Sequence, residues 1–286
     1  MSGVYSGVQA RIKEMEPLAK YVHCAAHNLN LTLNDSVKNI AELRRFYDTV
    51  EGLYTFFGQS IKRWALLSGI ISSELSEHGN VTLKSLCPTR CSSRHNALAA
   101  LRYRYADVTK ALTKITLVSE KREEQDEATA LQKKENFCFI FLFVQQTKLL
   151  ENVDAVSKML QTKDCDIQKT IGLLENIIQT LSTYRHDFGQ VKRTAQNLVA
   201  KWGAQSEFME MHRGRVKRHF DELCEDERLS NGESYFRINV FNASLDIIIS
   251  QLSQRFISMR ETNEVFHVIH PGTLNKAQDD APHQDA

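Results

Sequence analysis

The chain has 286 residues, 42% of them apolar and 25% charged, with a formal net charge of +1 at neutral pH. That length and balance suit one large globular domain or two ordinary ones, and exclude the low-hydropathy, high-charge balance of a disordered chain. The near-zero net charge also excludes a global field that would draw the whole molecule onto nucleic acid or an anionic membrane, so any such role needs a local patch.

The opening "MSGVYSGVQARIKEME" has no apolar core followed by a small-residue cleavage site, so no signal peptide is expected there. Its first glycines lead into an amphipathic stretch. After Pro17, "LAKYVHC" (18–24) reads as a short strand. From there the period changes. Leu33, Val37, Ile40, Leu43, Tyr47, Val50, Tyr54 and Phe57 recur at spacings of three and four, which predicts one long amphipathic helix. Ser60 can cap a second helix reaching about Leu75. Residues 77–92, "EHGNVTLKSLCPTRCS", carry Gly, Asn and Pro and read as a loop.

Ser92 or Ser93 is expected to start the next helix, with Leu98, Leu101, Tyr105, Val108, Leu112 and Ile115 as its buried stripe. "SEKREEQDE" (119–127) has no apolar stripe and reads as a solvated turn or helix end. A long helical pattern fills about 128–161. Within it "FCFIFLFV" (137–144) predicts a segment buried on all sides; eight residues fall far short of the roughly 20 that span a bilayer. Ile167 to Phe188 marks another helix, and two more are expected near 205–226 and 234–258. In the last, Ile247, Ile248 and Ile249 are apolar on more than one face, which means either burial or an exposed patch. Trp64 and Trp202 sit at helical spacing with other apolar residues and are expected in the core. The polar tail from Thr273 is expected to be disordered. The fold class predicted is therefore mainly α, with one orphan strand near the N-terminus.

Several residues invite a chemical reading. In "YVHCAAHNLNL" (21–31), Cys24 and His27 are half of a four-ligand zinc site that Cys87 and Cys91 could complete, or a nucleophile and its base, or a family mark without metal chemistry. The six cysteines (24, 87, 91, 138, 165, 224) are scattered through helical patterns, not gathered in a disulfide framework, which points to a reducing compartment. Asp35, Asp48 and Asp107 show no spacing that unites them as a metal-binding set. Two basic clusters stand out. Arg90, Arg94, His95, Arg102 and Arg104 gather around a loop-to-helix junction and are candidates for phosphate contact. "HRGRVKRH" (212–219) could also contact phosphates, but Asp221, Glu222 and Glu225 follow at once, and it reads first as ordinary solvation or intrachain pairing.

Six blocks carry a family resemblance when taken in order: "MSGVYSGVQARIKE" (1–14), "YVHCAAHNLNL" (21–31), "FFGQSIKRW" (56–64), "PTRCSSRHNAL" (88–98), "FDELCEDERL" (220–229) and "YFRINVFNASLDIIISQLSQRF" (235–256). Together they resemble transposases of the hAT superfamily, most closely its transposase-derived zinc finger MYM-type 1-like proteins. The resemblance implies an RNase H-like catalytic core interrupted by an all-helical insertion domain. Residues 1–31 would be a remnant of that core, with 18–24 as its last strand, 32–274 the insertion, and 275–286 a disordered tail.

Family enzymes use three acids to hold divalent metal such as Mg; the resemblance places two of these acids before residue 1 and the third after residue 286. It therefore implies a chain without catalysis or a cofactor of its own, or alternatively a piece of a longer, active DNA transposase. Cys24, His27 and Cys91 would stand beside the former active site, Cys91 where the family has a base-stacking Trp. The implied partners are DNA, or a protein partner or second copy, in the nucleus, with no membrane and no small-molecule substrate.

Overall fold

The computed structural model describes residues 7–73, 81–87, 90–163, 165–202, 207–208, 232–266 and 269. The basic run at 212–219, Cys224, most of the helix expected over 205–226, the tail from Thr273 and the side chain of Trp202 lie outside them. Among the described residues the protein is helical and has no strand.

In chain order the helices are α1 (Val8–Met15), α2 (Ala25–Asn39), α3 (Ala41–Gly58), α4 (Ile61–Ser73), α5 (Cys91–Val118), α6 (Arg122–Lys134), α7 (Phe137–Met159), α8 (Ile167–Tyr184), α9 (Phe188–Trp202), α10 (Gly232–Phe236), α11 (Ala243–Arg255) and α12 (Ile257–Phe266). A π-helical turn, Arg237–Asn242, joins α10 to α11.

The expected strand at 18–24 is not formed. This segment is an irregular, largely exposed connection that ends with Cys24 as the first cap of α2. A strand needs a neighbouring strand to pair its N–H and C=O groups, and among the described residues there is none; the Leu18 N–H turns instead to Glu16 Oε1 at 3.2 Å and the Ala19 N–H to the Glu16 carbonyl at 3.0 Å. α2 also runs without interruption across the boundary expected at 31/32, and Ala25, Leu29 and Leu33 enter one core together.

Three other expectations are corrected at helix junctions. The long helix over 33–57 is two helices, broken at Ile40, whose backbone is extended (φ −116°, ψ 115°). The Asn39 amide donates to the Asp35 carbonyl at 2.7 Å, and Ile40 stays buried. The break spans one residue, so the apolar spacing passes through it unchanged. The pattern over 128–161 is likewise split at Glu135–Asn136, where Asn136 Oδ1 accepts from the Phe139 N–H at 3.1 Å. The charged run 119–127 is a solvated turn and helix end as expected: it follows α5 and supplies the first turns of α6, whose buried residues are Ala128 and Leu131. The stretch 167–188 ends at Tyr184, and Phe188 opens α9 instead. Ser60 does cap α4, accepting from the Arg63 N–H at 3.4 Å.

α7 is the axle of the bundle. Phe137, Phe139, Ile140, Phe141, Leu142 and Phe143 are each at most 4% exposed. Phe141 lies with its ring 5.1–5.9 Å from those of Phe188, Phe236 and Phe241, which ties α9, α10 and the π turn to α7. Burial of side chains this size stabilises by about 1.5–3 kcal/mol each. Ile248 is fully buried, with Ile247 and Ile249 half-buried against the same core. Trp64 is partly buried, its ring 6.4 Å from that of Tyr54. No described helix is long and apolar enough to cross a membrane.

Candidate nucleic-acid interface

The loop 81–87 folds back over the start of α5 and forms a groove of about 500 Å³. Three ties hold the loop. The Leu86 N–H donates to Glu51 Oε2 at 2.7 Å, the Cys87 N–H to Ser93 Oγ at 2.8 Å, and Arg104 Nε to the Val81 carbonyl at 2.8 Å. Lys84, Ser85, Arg90, Ser92, Ser93 and Asn96 line the groove, over Tyr54 and Leu83. Lys84 and Arg90 are exposed. α5 is 28 residues long and has no acidic residue in its first turn, so the positive end of its dipole is not neutralised from within the helix. The Ser93 hydroxyl is spent within the loop, donating to the Ser85 carbonyl at 3.2 Å, but two cations, the Ser92 hydroxyl and a helix N-terminus line a surface suited to a phosphate.

α2 sets the position of α5. Asn30 and Asn34 lie one helical turn apart on one face of α2. Asn30 Oδ1 accepts from the Cys91 N–H at 2.7 Å and from the Cys91 thiol; Asn34 Oδ1 accepts from Arg94 Nη2 at 2.6 Å. The Arg94 guanidinium also lies 4.9 Å from the centroid of the Tyr47 ring, and the Tyr47 hydroxyl donates to Gln146 Oε1 at 2.9 Å.

The five basic candidates therefore separate. Arg90 stands at the groove. Arg94 is buried and serves to position α5. Arg104 is 1% exposed, with Asp107 Oδ2 at 3.3 Å and the loop carbonyl as partners, so in this conformation it is a strut and cannot reach a phosphate. His95 is half-buried with Nδ1 3.8 Å from Asp154 Oδ2, a carboxylate that also takes Lys158 Nζ at 2.7 Å. Arg102 is exposed but belongs to a separate crevice of about 220 Å³ between α5, α7 and α9.

The zinc set is not brought together. Cys24 and His27 are exposed, Cys87 is half-buried, and Cys91 is buried against Asn30. Burial pushes the Cys91 thiol up to about 12, against the nearby Arg94 charge and with a small push from Asp154, so it is neutral at physiological pH and unsuited as a thiolate ligand or nucleophile. Among the described residues no group of three or more His, Cys, Asp or Glu is placed to hold a metal. Asp35 pairs with Arg255 at 2.7 Å and Asp107 with Arg104, so the acids here do not fit the divalent metal of the enzymes the sequence resembles.

Sequence reasoning missed Lys84 and the groove serines, whose role depends on how the loop folds back. Asn30 and Asn34 were visible as an i,i+4 amide pair in "NLNLTLN". Neither a protein-family model nor a solved structure matches this chain.

Proposed function

We propose that this chain is a non-catalytic, hAT transposase-derived helical module that contacts nucleic-acid phosphates in the nucleus, through the groove at the start of α5. The observation that carries this reading is the presence of Arg90, Lys84 and Ser92 around the N-terminus of a long helix with no acid in its own first turn. The order of sequence blocks shared with that superfamily supports it independently. Arg90 and Lys84 make the phosphate contacts. Arg94 and Arg104 act indirectly, by fixing α5 and the loop. Such binding is insensitive to sequence and falls steeply with salt.

The test is a titration of fluorescently labelled duplex DNA at several salt concentrations between about 50 and 200 mM. The reading expects an affinity that falls linearly in log–log form, and a shallower slope for Lys84→Ala with Arg90→Ala. Affinity indifferent to salt would overturn it.

A protein-association scaffold is the second reading. It is favoured by α1, where Val8, Ile12 and Met15 share one face by spacing and are 55%, 50% and 86% exposed. Light scattering of the purified chain, with and without Ile12→Glu, tests for a second copy on that face.

A further inference from the structure

The joint between α6 and α7 is two residues long. Asn136 caps α7, and Glu135 turns inward at the end of α6, 8% exposed. The Thr109 hydroxyl of α5 shares its one proton between the Tyr105 carbonyl at 3.0 Å and Glu135 Oε2 at 3.3 Å, and the Tyr105 hydroxyl also bonds the carboxyl. Oε1 is buried with no hydrogen-bond partner. The titratable group that touches Glu135 is Tyr105. Across the cleft lined by the flanking Lys134 and Asn136 stand Glu42, Arg45 and Asp48 of α3, Cys138 of α7 and Tyr235 of α10. Arg104 and Asp107, elsewhere on α5, pair with one another. Among the described residues Glu135 forms no ion pair.

A carboxylate in this place is held by the Tyr105 hydroxyl and a shared Thr109 proton, with one oxygen bare, an unfavourable state for a buried charge. It has two ways out: to keep a proton, or to swing the joint into water. The second requires α6 to part from α5 and α3. The buried residues of α6 are Ala128 and Leu131, and its polar ties run from Ser119 Oγ to Glu124 at 2.9 Å, from the Gln125 amide to the Ser119 carbonyl at 2.7 Å, from Arg63 to Glu127 at 3.4 Å and from the Gln132 amide to Thr113 Oγ1 at 2.9 Å.

We propose that Glu135 is a proton-operated latch: in its acid form it closes the α6–α7 joint, and its ionisation releases α6 from α5 and α3. Burial lifts the ionisation of this carboxyl from its ordinary 4.5 up to about 7, which places the latch near cellular pH. Release bares Ala128 and Leu131 together with the surface that Leu131 covers at Gly52 of α3.

Hydrogen exchange of the full chain, corrected for the intrinsic rate at each pH, tests this. Between pH 6 and 8 the protection of 122–134 is expected to fall by about tenfold while that of α7 holds, from the linkage between closed and open ionisation. Glu135→Gln, which cannot ionise, is expected to keep α6 protected at both pH values. Equal protection of wild-type α6 at pH 6 and 8, or a fall that persists in Glu135→Gln, would overturn the proposal. Should that variant fail to fold, the carboxyl carbon shift of Glu135 in the wild type decides: a midpoint near 7 supports the latch and one near 4.5 sinks it.

Discussion

Removal of the Arg104 guanidinium would leave the Asp107 carboxylate buried without the cation 3.3 Å away and the Val81 carbonyl without its donor. Arg104→Ala is therefore expected to cost about 3–5 kcal/mol in urea unfolding, as for other broken buried pairs. Arg90→Ala, at an exposed position, should stay within about 0.5 kcal/mol of wild type. That contrast separates two arginines that look alike in the sequence. Charge and proximity in the chain put both into one candidate set, and only the inward turn of α5 divides them. The Cys91 thiol shows the same limit, because its spacing with Cys87 suggested a ligand and its burial against Asn30 removes it. Glu135 carries a residue-scale prediction of its own. Its ionisation is raised in the folded state, so it favours folding below about 4.5, and that contribution is lost as pH climbs to about 7. Glu135→Gln should flatten this window and exceed wild-type stability at pH 8, by an amount on the order of 2–3 kcal/mol.

Helix identity was legible in the chain, and helix ends much less so. The stripe of α5 and the buried run of α7 follow directly from period and apolar density. The break at Ile40 was invisible to period because one extended residue leaves the next buried position where a continuous helix would put it. The split at Asn136 left a trace, an amide just before an apolar run, and its bond to the Phe139 N–H gives that trace its meaning. Asn136→Ala should cost about 1 kcal/mol in thermal or urea unfolding, as for other lost N-caps. The apparent strand at 18–24 was a reading of local composition, and strands are settled by neighbours that no local window contains.

Among the described residues one core runs from Ala25 in α2 to Met259 in α12. A chain starting at residue 20 should melt like the full chain by circular dichroism. One starting at 32 loses Leu29, fully buried, and Asn30, which holds the start of α5; its loss should amount to at least the 2–5 kcal/mol typical of a core leucine. The near-neutral whole has no long-range field to lend to binding, so contact with nucleic acid depends on the groove alone. The most direct test is the difference in salt slope between wild type and Lys84→Ala with Arg90→Ala, both shown to be folded by circular dichroism. The account predicts that the slope of log affinity against log salt becomes shallower by about 1.8, the loss of two phosphate contacts. An unchanged slope in the folded double variant would contradict it.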